Sequence, residues 1–160
     1  MGKHNIDPAH EAVMRHSLPE LIQALERGSA VDSLDREGRT PLFYAAQDGD
    51  HAIAAELLRR GATANAQDRH LKTPLHFAAS ECRTEVAELL LKSGASVDAQ
   101  DSNGNTPLSD AVFESMGRGQ TIKLLLAYGA NKSLKNNHGV SPEDLANSIA
   151  NYDVRQFLTE

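Results

Sequence analysis

Thr40-Pro41-Leu42-Phe43-Tyr44-Ala45-Ala46 decides the fold, because the chain returns to it as Thr73-Pro74-Leu75-His76-Phe77-Ala78-Ala79 and as Thr106-Pro107-Leu108-Ser109-Asp110-Ala111-Val112. The interval from Thr40 to Thr73 equals that from Thr73 to Thr106, and a weaker copy, Ser141-Pro142-Glu143-Asp144-Leu145-Ala146, follows after a slightly longer one. A fixed period of this length marks a solenoid, whose units cannot bury their apolar faces alone and must stack. Thr40 is suited to cap a helix by accepting a backbone N–H, and Pro41 suits the first helical position. Leu42, Ala45 and Ala46 then share one side of a short helix, and the small residues let a neighbouring helix come close.

Counting back one period from Thr40 puts Asp7-Pro8-Ala9-His10-Glu11-Ala12-Val13 under the same template, with Asp7 as the cap. A second helix is predicted in each unit from apolar residues at helical spacing. They are Leu18, Leu21, Ile22 and Leu25; Ile53, Ala54, Leu57 and Leu58; Val86, Ala87, Leu90 and Leu91; and Ile122, Leu125 and Leu126. Gly28, Gly61, Gly94 and Gly129 would end these helices in left-handed conformations. The expected organisation is one domain, 1–160, of five units at about 1–34, 35–67, 68–100, 101–135 and 136–160. The first and last are degenerate and would act as caps, Glu143 standing where Leu42, Leu75 and Leu108 stand. Two extra residues of the fourth unit fall within Glu114–Gly119, between its helices. Such an insertion either marks a contact with a partner or is a tolerated loop change.

The net charge of −6 argues against a general binder of nucleic acid or anionic membrane. Cys82 is the only cysteine, so no internal disulfide forms; this is compatible with a reducing cytosol, the expected setting, although disulfide-free proteins are also exported. No apolar run near the N-terminus suggests a leader or a membrane span. Met1-Gly2 resembles a myristoylation start, but Ile6 stands where that signal wants Ser or Thr. The seven histidines are scattered without zinc spacing, and neither a phosphate-binding glycine loop nor a nucleophile elbow is present. No metal, cofactor or catalytic residue is expected, and the protein is read as a non-enzyme.

The recurring motifs Asp35-x-x-Gly38-x-Thr40-Pro41-Leu42, Ala45-Ala46-x-x-Gly49 and Leu57-Leu58-x-x-Gly61-Ala62 resemble the ankyrin repeat, as do their copies in the next two units. The resemblance covers almost the whole chain and recurs in phase. It implies an all-α solenoid of about five helix-turn-helix units joined by β-turn fingers, with the first helices lining a concave surface. It also implies a binder of other proteins, a monomer when unbound. His76, part of the repeat motif, would hold the finger turn by hydrogen bonds. Leu71 and Cys82 depart from the pattern, each standing where other units have glycine, so the third finger is expected to be shaped differently.

Carried over to this chain, the positions facing a partner are Arg36, Glu37 and Arg39 with Gln47 and Asp48; Arg69, His70 and Lys72 with Ser80 and Glu81; Ser102, Asn103 and Asn105 with Phe113 and Glu114; and Asn137, His138 and Val140. Met116 and Arg118 join them from the lengthened loop. Arg36, Arg39, Arg69 and Lys72 would form either a basic strip along the fingers, beside a groove of Asp48, Glu81 and Glu114, or a solvated edge of mixed charge. Phe113 occupies the slot of Gln47 and Ser80. It is either an aromatic anchor for a partner or a side chain packed beneath the loop. The chain is also similar in overall style to small bacterial ankyrin-type immunity proteins that neutralise a cognate toxin. The other expectation is a scaffold or regulatory inhibitor of another cellular protein.

Overall fold

The computed structural model describes residues 6–149 and 153–159; the Met1-Gly2 start lies outside them. Among the described residues there are nine α-helices and no strand. Four pairs run α1 (Pro8–Met14) with α2 (Leu18–Glu26), α3 (Pro41–Asp48) with α4 (His51–Arg59), α5 (Pro74–Ser80) with α6 (Thr84–Lys92), and α7 (Pro107–Glu114) with α8 (Gln120–Ala127). Helix α9 (Pro142–Ser148) is followed by a 3₁₀ turn, Val154–Phe157. No helix among the described residues is long and apolar enough to cross a membrane.

The odd-numbered helices stack in one row, and α2, α4, α6 and α8 stack in a second behind it. One alanine per unit, Ala12, Ala45, Ala78, Ala111 and Ala146, forms the spine of the first row, each at most 1% exposed. Leu42, Leu75 and Leu108 are wholly buried in the next slot, each contributing about 2 kcal/mol of apolar burial. Ala9 takes that slot in the first unit, and the corresponding Glu143 is exposed. The second helices end as the glycines predict, with Ser29, Ala62, Ala95 and Ala130 N–H groups reaching back to Ala24, Leu57, Leu90 and Leu125 carbonyls.

The return loops are built by one side-chain device repeated four times. Asp35 Oδ1 accepts the N–H groups of Glu37 (2.8 Å) and Arg39 (2.9 Å), closing the finger turn. Asp68 does the same for His70 and Lys72, Asp101 for Asn103 and Asn105, and Asn136 for His138 and Val140. Neighbouring fingers are tied by backbone bonds from Arg69 N–H to Glu37, Ser102 N–H to His70 and Asn137 N–H to Asn103.

The third finger, expected to differ because Leu71 replaces a glycine, does not. Leu71 takes φ 58°, its N–H bonds the Asp68 carbonyl, and the turn matches those at Gly38 and Gly104. Cys82 likewise accepts φ 54° at the corner after α5, with Arg83 N–H bonding the Ala78 carbonyl as Asp50 N–H bonds Ala45. The hydrogen bonds on either side of each corner outweigh the left-handed cost, about 1–2 kcal/mol for a side chain.

The expectation that Thr40 caps its helix is also corrected: its hydroxyl is buried without a partner. The reason lies in the slot one turn further on. In the third unit Thr73 N–H (3.1 Å) and Oγ1 (2.9 Å) meet His76 Nδ1, and in the fourth Thr106 N–H (3.4 Å) and Oγ1 (3.3 Å) meet Ser109 Oγ. Phe43 stands in that slot in the second unit and has no acceptor to offer. Thr40→Val is therefore expected to be neutral or stabilising by up to about 1 kcal/mol. Thr106→Val should destabilise by about 1–2 kcal/mol, both read from urea unfolding.

His76 is wholly buried, and the bond from Thr73 N–H to Nδ1 places its ring proton on Nε2, which donates to the Asn105 carbonyl at 3.1 Å. Burial pushes its pKa down, outweighing the opposing pull of Asp110 and of the bond to Asn105. The unfolded chain then binds more protons below the ordinary His value of 6.5, so stability is full above that pH and falls as pH drops below it. Stability measured from slightly alkaline to slightly acidic pH should fall more steeply for the native chain than for His76→Phe, which mimics Phe43 at the same slot.

Candidate functional site

The inner surface is framed by the fingers on one side and the exposed ends of α3, α5, α7 and α9 on the other. Arg36 and Glu37 are exposed at the tip of the second finger, and Arg69 and His70 at the tip of the third. Arg39 and Lys72 belong to a different arrangement. Arg39 Nε pairs with Asp68 Oδ2 at 3.2 Å and its guanidinium lies 4.6 Å from the Phe77 ring centre. Lys72 Nζ reaches Asp110 at 2.9 Å and Asp101 at 3.9 Å. Each joins one finger to the carboxylate that closes the next, and Asn105 makes the uncharged version by accepting from Asn136 Nδ2 at 2.8 Å. A free basic strip of four thus reduces to Arg36 and Arg69.

Behind the second finger Tyr44 donates a short hydrogen bond to Asp35 Oδ2. Burial and this bond push the Tyr44 hydroxyl up to about 12. Burial alone would raise Asp35, but the Tyr44 bond and the N–H groups of Arg39 and Glu37 bring it below its ordinary value. The pair is a fixed part of the finger base with no proton to exchange near neutral pH.

On the helix side Gln47 and Ser80 are half-buried and Asp48, Glu81 and Glu114 are exposed. The Gln47 carbonyl accepts from Arg83 Nε at 3.0 Å, and the Ser80 hydroxyl donates to the Phe77 carbonyl at 3.0 Å. Asn103 is exposed, its carbonyl bonded to the fifth finger. In the lengthened loop Met116 is 64% exposed, and Arg118, exposed, donates from Nε to the Ser115 carbonyl at 3.2 Å.

Phe113 is 66% exposed, which excludes the alternative of packing beneath the loop. It forms one wall of a groove of about 250 Å³ between α7 and the last unit, with Val140 and Leu145 on the facing wall and Asn105, Ser109, Asp110, Asn136 and Ser141 as its floor and rim. Sequence spacing does not pair Val140 and Leu145 with Phe113, because they lie in the next unit and meet it only through the stacking. Val140 is among the expected partner-facing positions, whereas Leu145 is not. Nor is the role of His10 among the expectations, two repeat periods before His76: its Nε2 bonds the Arg39 carbonyl at 3.0 Å and so sets the register of the second finger.

An all-helical stack with hydrogen-bonded fingers and a groove of mixed lining between its last units belongs to the repeat solenoids. Residues 9–101 match the family described as ankyrin repeats (3 copies), and residues 103–137 match the ankyrin repeat. The chain belongs to the ankyrin-repeat family, whose members are generally non-enzymatic modules for protein–protein interaction. No individual curated protein matches it.

Proposed function

We propose that this protein binds and occludes a protein partner through its inner face, with Phe113 as the anchor. The observation that carries the reading is an aromatic ring two-thirds exposed, where the preceding units place Gln47 and Ser80, beside a groove that sets it against Val140 and Leu145 over a polar floor. Solvent-exposed aromatics cost solubility and commonly dominate interfaces. The finger-tip residues Arg36, Arg69 and His70 and the loop residues Met116 and Arg118 would flank it. In its sharpest form the reading is an immunity protein neutralising a cognate toxin. Support for that form is the resemblance in size and repeat style.

Affinity purification from the native source with this chain as bait would identify the partner. The purified pair should then bind about tenfold more weakly with Phe113→Ala, measured by calorimetry, while circular dichroism shows the variant folded. Unchanged affinity would remove Phe113 from the interface. A toxin whose activity stops on addition of this chain supports the immunity form; a non-toxic enzyme or receptor supports a scaffold or regulatory inhibitor.

A further inference from the structure

Asp48, Glu81 and Glu114 occupy the same slot at the ends of α3, α5 and α7, all exposed. Among the described residues none of the three is in an ion pair, although Arg15–Glu11 and Lys92–Glu88 show that surface pairs form elsewhere on the chain. Arg83 and Arg118, each a few residues along the chain from a member of the row, donate from Nε to the backbone carbonyls of Gln47 and Ser115. The row ends at Glu114, adjacent in sequence to Phe113 and its groove with Val140 and Leu145. The fingers framing that groove present Ser102, Asn103, Asn137 and His138 and add no lysine or arginine at their tips.

We propose that the inner face takes an extended, lysine- or arginine-bearing segment of its partner, ending in an apolar side chain seated in the Phe113 groove. This rests on the reading that the groove binds protein. Stacked helices lie about 8–10 Å apart. An extended chain advances about 3.3 Å per residue. Carboxylates one per unit therefore match cations at every third residue, and the groove, one step beyond Glu114, receives the residue three places further on. Charge complementarity sets the register and direction of the segment, and the apolar anchor supplies the slow dissociation.

The probe is the synthetic peptide Lys-Ser-Ser-Lys-Ser-Ser-Lys-Ser-Ser-Phe, fluorescently labelled and titrated with the full chain at low salt. Two matched peptides carry Glu in place of every Lys, or Ala in place of the terminal Phe. Saturable binding of the lysine peptide is expected, weakened about tenfold by Glu81→Lys and by the Ala-ended peptide. The difference between Phe-ended and Ala-ended peptides should vanish in Phe113→Ala. No saturable binding, equal or tighter binding of the glutamate peptide, or indifference to Glu81→Lys overturns the proposal. If the natural partner loses affinity with Phe113→Ala yet ignores Glu81→Lys, only the basic-segment inference falls. If it ignores both, the groove reading falls with it.

Discussion

Asp68→Ala should cost about 3–5 kcal/mol, the largest loss from any single side chain of the fingers. The carboxylate side chain is wholly shielded and uses both oxygens. Oδ1 holds the N–H groups of His70 and Lys72, and Oδ2 holds Arg39. Alanine leaves two finger N–H groups without acceptors and a partly buried guanidinium without its counter-charge. Asp68→Asn should cost only about 1–2 kcal/mol, since the amide oxygen keeps the turn but its NH₂ faces Arg39, donor against donor. The chain contains its own control in Asn105 and Asn136, where an amide donates to an amide at 2.8 Å. Arg39→Asn with Asp68→Asn should therefore recover most of the loss, giving a favourable coupling in a double-mutant cycle by urea unfolding. A loss below about 1 kcal/mol for Asp68→Ala would mean that the turn closes without the carboxylate. By contrast, Arg15–Glu11 is shorter, at 2.6 Å, but both side chains are at least half exposed, and its removal should change little.

The helices, their stops and the stacking alanines were legible because each depends on residues within one period: proline at a helix start, glycine at its end, and apolar spacing between them. The roles of Arg39 and Lys72 were not. Both read as surface cations at finger positions, and the carboxylates they meet, Asp68 and Asp101, belong to the finger of the next unit. The recurrence of a base followed one unit later by Asp was present in the sequence. It becomes a statement about pairing only once the fingers are known to lie side by side. Thr40 fails for the same kind of reason. Its capping residue type was right, but the outcome depended on whether the slot one turn later held a polar side chain, as His76 and Ser109 do, or Phe43. For the candidate site, Phe113 was visible as the exception to its slot, whereas the wall made by Val140 and Leu145 exists only through the contact between α7 and the last unit. A glycine rule also misled at Leu71, because a local preference of about 1 kcal/mol is smaller than the bonds that hold the turn.

That balance predicts that equivalent glycines are unequal. Gly38 and Gly104 occupy the same finger position with nearly the same φ, 74° and 77°. A Cβ on Gly38 would meet nothing nearer than Arg69 N at 3.5 Å, an ordinary contact. On Gly104 it would lie 2.7 Å from Asn137 Oδ1, 2.8 Å from Asn137 N and 3.1 Å from the Asn136 Cα. Two of those three atoms are backbone, so the fifth finger itself must move. Gly38→Ala should thus cost about 1 kcal/mol, the left-handed term alone, and Leu71→Gly should gain a similar amount. Gly104→Ala should cost about 3 kcal/mol, because displacing the finger also breaks the bond from Asn137 N–H to the Asn103 carbonyl at 2.9 Å. Urea unfolding of the three variants checks the ranking, and hydrogen exchange at the Asn137 amide checks the cause, since only Gly104→Ala should accelerate it. Equal costs for the two alanines would show that the fingers are looser than their hydrogen bonds imply. The same displacement carries Val140 away from Phe113, because the fifth finger holds Val140 N–H on Asn136. Gly104→Ala should therefore weaken a partner seated in the groove under conditions where the chain remains folded, whereas Gly38→Ala, two fingers distant, should leave that affinity unchanged.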